Sequence, residues 1–237
     1  MSERSEFVRR YEAAVSAEAL ALAWARQGDG PAGATVVVAN EISPRGRNGR
    51  LWSVPADGTL AVAVVLRPGF GLADADAVWL LAGLAGASAT AAIGARPVGV
   101  WWPDRVVSPE TGAELVMTKA EVQLGPGRVR SAVITLRFDL HGLGLSRDDK
   151  AALVDALRDS VDELSDFDAE TAATQYTVAC EQIGRDVKIA LLPKGETRGR
   201  VTAVDGAARL HVESRTGMVE RISIDVVRDL HLVDHGD

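Results

Sequence analysis

The chain has 237 residues, 47% of them apolar and 25% charged, with a formal net charge of −7. That length suits one large domain plus a small one, and the negative balance argues against non-specific nucleic-acid binding, which relies on clustered positive charge. No stretch approaches the ~20 apolar residues of a membrane span, and a single cysteine, Cys180, excludes an intramolecular disulfide and a thiolate metal cluster. The opening Met1-Ser2-Glu3-Arg4-Ser5-Glu6 lacks the basic-then-apolar plan of a signal peptide, so a cytoplasmic location is expected.

Residues 7–27, Ala-rich with alternating charge and no internal Gly or Pro, predict a helix stopped by Gly28-Asp29-Gly30-Pro31. Residues 35–39 and 60–66 are apolar, β-branched runs that predict buried strands. Between them lies the cationic segment Pro44-Arg45-Gly46-Arg47-Asn48-Gly49-Arg50-Leu51-Trp52. An Ala/Leu-rich helix over 74–93 follows, stopped by Gly94, and then a short strand over 98–102 closed by Pro103. Residues 113–124 and 128–140 predict a hairpin turning at Gly125-Pro126-Gly127. An amphipathic helix over 148–166, opened by Ser146 as a cap, and another over 169–182 complete the larger part. After Ile183-Gly184 the text changes to short strands at 187–191, 199–204, 209–213 and 219–224, the pattern of a small barrel.

The arginine segment carries the most chemical information. Glycine lets a backbone approach a ligand closely, and guanidinium groups grip phosphate or carboxylate with paired hydrogen bonds. In order along the chain stand this loop with Trp52, the Ser53-Val54-Pro55 turn, Arg67-Pro68, the Trp102-Pro103 turn, a hairpin, two helices and Ile183-Gly184-Arg185-Asp186-Val187. This order resembles the biotin–protein ligases of the biotin-lipoate A/B protein ligase family, whose adenylate loop reads Gly-Arg-Gly-Arg-x-Gly-Arg-x-Trp. The resemblance covers about residues 15–235. It implies an α/β fold with a mixed central sheet and flanking helices (a class II synthetase-like ligase domain, 1–181), followed by a small SH3-like β-barrel (182–237). It further implies ATP, Mg²⁺ and biotin as ligands, with biotin activated as an acyl-adenylate and passed to a lysine of a biotin carboxyl carrier domain. Because the ligase-like text begins almost at Met1, no DNA-binding winged helix and no DNA partner are expected. Homodimerisation through an exposed sheet edge is the expected assembly.

Position by position, Arg45, Gly46, Arg47, Gly49, Arg50 and Trp52 match the loop, with Pro44 replacing its first glycine. The resemblance assigns these residues to binding the adenylate. Elsewhere the pattern departs. The Ser-Thr-Asn segment that contacts biotin becomes Ser16-Ala17-Glu18, and the loop glutamine falls on Glu41 or Ile42. The Lys-Trp-Pro-Asn-Asp motif reads Trp101-Trp102-Pro103-Asp104-Arg105. A second family lysine falls on Val116, while Lys119, three residues along the same strand, points to the opposite face. The Gly-x-Gly-x-Asn strand end becomes Thr135-Leu136-Arg137-Phe138-Asp139, whose bulk is expected to fill ligand space. Only four of the 26 basic residues are lysines (Lys119, Lys150, Lys188 and Lys194), so few ammonium groups are available to replace the two that are lost.

Two functions stay open. One is a biotin or lipoate-type ligase with activity impaired or lost, since each essential cation is worth several kcal/mol of transition-state stabilisation and ~1.4 kcal/mol is already tenfold in rate. The other is a non-catalytic pseudoenzyme that binds a ligand or a protein partner. Ser16, Trp101, Trp102, Val116, Lys119 and Arg137 are candidate pocket-lining residues, Arg105 and Arg137 candidate replacement cations, and Trp101, Phe138 and Val116 the side chains expected to close the ligand cavity. The four histidines show no metal-ligand spacing.

Overall fold

A computed structural model describes residues 7–27, 30–52 and 58–233. Residues 53–57, with the Ser-Val-Pro turn, and residues 28–29 lie outside them. Seven strands form a mixed sheet in the order β1-β2-β3-β7-β6-β5-β4: β1 (Val8–Ala14), β2 (Thr35–Glu41), β3 (Thr59–Leu66), β4 (Gly99–Trp101), β5 (Arg105–Val107), β6 (Glu114–Gly125) and β7 (Arg128–Asp139). Only the β1–β2 pair is parallel. The long β6–β7 hairpin turns at Gly127, whose φ of 73° suits a residue without a Cβ.

The alternation of each strand divides the sheet's side chains between two faces. Leu60, Val62, Val64, Ile134, Leu136 and Phe138 point toward α2 (Ala77–Ala92), α3 (Lys150–Leu164) and α4 (Ala169–Ala179) in the larger core. Ala61, Ala63, Val65, Val36, Val38 and Val133 point toward α1 (Ala17–Gln27) in the smaller one. Small residues let α2 approach its neighbours: a Cβ on Gly83 would meet the Tyr176 ring at 2.8 Å, and one on Gly86 would meet Leu136 at 3.0 Å.

The helix expected over 7–27 is two elements. Its first half pairs in parallel with β2, from Val8 opposite Thr35 to Ala14 opposite Glu41. Helix propensity is a weak prior, and covering the edge of β2 outweighs it. The chain then breaks at Ser16, whose hydroxyl accepts a hydrogen bond from the Ala19 amide (3.3 Å) and so caps α1. Arg9 on β1 stacks over the Trp24 ring of α1, 3.8 Å from its centroid, and holds the two halves together.

The C-terminal strands β8 (Asp186–Leu191), β9 (Glu196–Val204), β10 (Leu210–Glu213), β11 (Val219–Ile222) and β12 (Val227–Leu232) form an antiparallel sheet in the order β11-β10-β9-β8-β12. This is the small five-stranded C-terminal unit expected from the strand spacing, and among the described residues no ladder joins β11 to β12. A 3₁₀ turn over Ile224–Val226 separates those two strands instead of a hairpin. The two sheets share one hydrophobic cluster, and Trp102 links them. It is fully buried, and its indole Nε1–H donates to the Ala208 carbonyl (2.9 Å) while its amide donates to Gln182 Oε1 (2.7 Å). No helix among the described residues is long and apolar enough to cross a membrane.

Candidate functional site

The described part of the arginine loop, residues 44–52, follows β2 and rests against Met117 of β6. It closes on itself: the Gly46 amide donates to the Arg50 carbonyl (2.8 Å), Trp52 to Pro44 (3.4 Å), and Arg45 bridges Leu51. Asn48 and Gly49 supply the positive φ values (54° and 74°) that turn the tip. A Cβ on Gly46 would lie 2.6 Å from Met117 Sδ, so a larger residue here would require the Met117 side chain to shift.

Inside this frame most of the arginines are already engaged. Arg47 donates from Nη1 to the carbonyls of Val227, which opens β12, and of Ile224 in the 3₁₀ turn before it, and Asn48 donates to the same Val227 carbonyl (3.2 Å). Burial lowers the Arg47 pKa, with Asp104 acting the other way. Arg50 forms a bidentate pair with Glu114 (2.7 and 3.0 Å). Burial opposes the Arg50 charge, but the Glu114 hydrogen bonds together with the Asp104 and Glu114 charges raise its pKa. Arg45 is exposed and donates to the Gly49 carbonyl (3.3 Å).

Asp104, in the turn between β4 and β5, brings a buried carboxylate into the middle of this group. Arg47 Nε lies 3.7 Å from it, Arg50 Nη2 3.6 Å and Arg105 Nε 3.8 Å. Arg105 also faces Glu114 (3.8 Å) and Asp229 (4.0 Å). A cleft of about 480 Å³ opens here between the loop and β12, lined by Arg47, Arg50, Asp104, Arg105, Arg228 and Asp229 among others. Its volume is in the range of small-molecule sites.

A second place lies at the base of the loop. Arg137 on β7, 1% exposed, forms a doubly bonded ion pair with Glu41 at the end of β2, and Glu41 also accepts from the Ala17 amide (2.8 Å). Arg137 Nη1 and Thr135 Oγ1 are buried with no hydrogen-bond partner among the described residues. The cavity beside them, lined by Glu41, Pro44, Trp52, Thr59, Leu60, Ala61 and Arg137, measures about 30 Å³, room for a water or two.

The other candidates lie elsewhere. Val116 and Phe138 pair across β6 and β7 with their side chains in the α2 core, and Trp101 packs against that core, so none of the three closes the cavity. Arg137, Glu41 and Met117 occupy that side of the sheet. Trp102 is a core residue and Ser16 a helix cap. Lys119 is on the α1 face, as the strand period requires, paired with Glu18 (2.8 Å) and Glu121 (2.9 Å). Burial opposes the Lys119 charge, and those two bonds raise its pKa. The carboxylates Glu41, Asp104, Glu114 and Asp229 escaped the sequence reading as partners. Asp104 had a visible signal, an added charge where the resembled motif has asparagine, and Glu41 a weaker one, standing at or beside the loop glutamine.

No protein-family model and no curated protein sequence matches the chain. Solved structures do. The chain is similar to the biotin protein ligase of Aquifex aeolicus in complex with biotin and ATP, at a TM-score of 0.72 and 16% identity, over 95% of this chain and 99% of that one. A biotin protein ligase-like protein of unknown function from a Silicibacter species matches at 0.64 and 16% identity, over 91% and 94%. The Helicobacter pylori biotin acetyl coenzyme A carboxylase synthetase with bound biotinylated ATP matches at 0.61 and 13%, over 90% and 98%. The chain has the fold of the biotin protein ligases.

Two of these neighbours are complexes, one with biotin and ATP and one with biotinylated ATP. The cavity beside Arg137 in this chain measures about 30 Å³, smaller than a biotin ring system. Of the carboxylates around the cleft, Asp104 is ringed by three guanidiniums and Glu114 is bonded to Arg50, an environment that repels Mg²⁺. Among the described residues no three His, Cys, Asp or Glu side chains gather to hold a metal ion.

Proposed function

We propose that this protein is a non-catalytic member of the biotin-ligase fold, in which the adenylate loop has become a structural clasp between the two sheets. The observation that carries this reading is the Glu41–Arg137 pair, which takes up the space beneath the loop. Acyl-adenylate chemistry needs unspent cations where pyrophosphate leaves, because negative charge accumulates there in the transition state. Here Arg47 holds backbone carbonyls and Arg50 holds Glu114. The positions of the two family lysines carry Trp101 and Val116. Biotin and ATP are ligands of the neighbours in fold, and this chain binds another ligand or a protein partner.

The test is transfer of biotin to a carrier domain in the presence of ATP-Mg, with Arg47→Ala alongside. No transfer by either protein is expected. Transfer by the wild type that disappears in Arg47→Ala would overturn the reading.

A further inference from the structure

The Asp104 carboxylate is 4% exposed, and three guanidinium nitrogens, two from the arginine loop and one from β5, surround it at 3.6–3.8 Å. Those distances give Coulombic attraction without direct hydrogen bonds. Arg47 Nε and Arg105 Nε are also buried without a hydrogen-bond partner among the described residues. The trio is thus compensated in charge while part of its donor capacity stays unspent, and it opens on a cleft of about 480 Å³. A carboxylate has two oxygens on one short stem and cannot satisfy three converging guanidiniums. A phosphate presents more oxygens and more charge, which matches guanidinium forks better.

We infer that Asp104 is a built-in counter-anion standing where a ligand phosphate would bind among Arg47, Arg50 and Arg105, and that this one carboxylate makes the cleft refuse phosphate-bearing ligands. The inference deepens the non-catalytic reading and rests on it for the loop being closed to such ligands. The arginines persist, and what excludes the anion is a like charge already seated between them. Asp229 supplies an internal comparison. It also lines the cleft and also faces Arg105, but it is 44% exposed and sits at the rim.

The experiment is calorimetric titration of inorganic pyrophosphate into wild type, Asp104→Asn and Asp229→Asn at low and high salt. Wild type should show no saturable binding. Asp104→Asn should bind at least about tenfold more tightly than Asp229→Asn, with affinity falling as salt rises. Equal affinities in the two variants would reduce the effect to net charge and overturn the inference, as would no binding to Asp104→Asn. Saturable binding to the wild type would overturn it too, and this arm holds even if Asp104→Asn does not fold. Pyrophosphate binding by the wild type without biotin transfer removes this inference alone. Binding with transfer removes the non-catalytic reading as well.

Discussion

The pocket beside Trp52 and the cleft behind the arginine loop each set arginine against carboxylate, yet about 30 Å³ is free in the first and about 480 Å³ in the second. In the pocket the two charges bond directly: Glu41 takes two bonds from Arg137 and one from a backbone amide. In the cleft it is loose, with Asp104 held at 3.6 Å or more by three arginines. On the function proposed above, one ligand space is filled and the other only neutralised. A filled space can be reopened only by repacking, whereas a neutralised one can be reopened by removing a charge.

Breaking the filled region should have the largest effect. Arg137→Met leaves Glu41 buried without its partner, and breaking a buried pair in this way costs about 3–5 kcal/mol. The double variant Glu41→Leu/Arg137→Met should recover most of that loss, since apolar replacements of buried pairs are often neutral or stabilising. Urea unfolding of the three proteins measures both steps, and equal loss in the single and double variants would show that the charge pair is not the cause.

The loop is the next test. Arg47→Ala removes the charged donor to Val227 and Ile224 and should destabilise by about 1.5–3 kcal/mol. It should also speed limited proteolysis near residues 44–52, and an unchanged cleavage rate would deny the clasp. A smaller change is expected from Arg50→Lys. The bidentate fork to Glu114 becomes a single point contact on a partly exposed pair, with a loss of under about 1 kcal/mol.

Much of the architecture was legible in the sequence because its signals are local. The β-branched runs became β2 and β3, and Gly125-Pro126-Gly127 turned the β6–β7 hairpin. Two features were not. Residues 8–14 have a helical composition and became a strand because β2, more than twenty residues away, offered an edge. The partners of the arginines were equally hidden, since Arg50 and Glu114 are separated by 64 positions and Arg137 and Glu41 by 96. A departure from the resembled motif announced Arg137, but no spacing rule pairs it with Glu41. Lys119 was different: period-2 alternation alone put it on the face opposite Val116.

The smallest effect lies away from both regions. Burial pushes the Cys180 thiol from 9.0 up to about 11. The folded state therefore keeps its proton where the unfolded chain loses it, so this contribution to stability is intact below about pH 9 and is lost as pH rises toward about 11. Iodoacetamide should modify Cys180 slowly in the native protein at pH 8 and quickly in urea, and equal rates would contradict its burial.

The central claim is that internal carboxylates have taken the places of biotin and the adenylate, and equilibrium binding tests it most directly. Biotin titrated into the wild type by calorimetry, with and without ATP-Mg, should give no saturable heat up to millimolar concentrations. Saturable binding in the micromolar range, tightened by ATP-Mg, would contradict it.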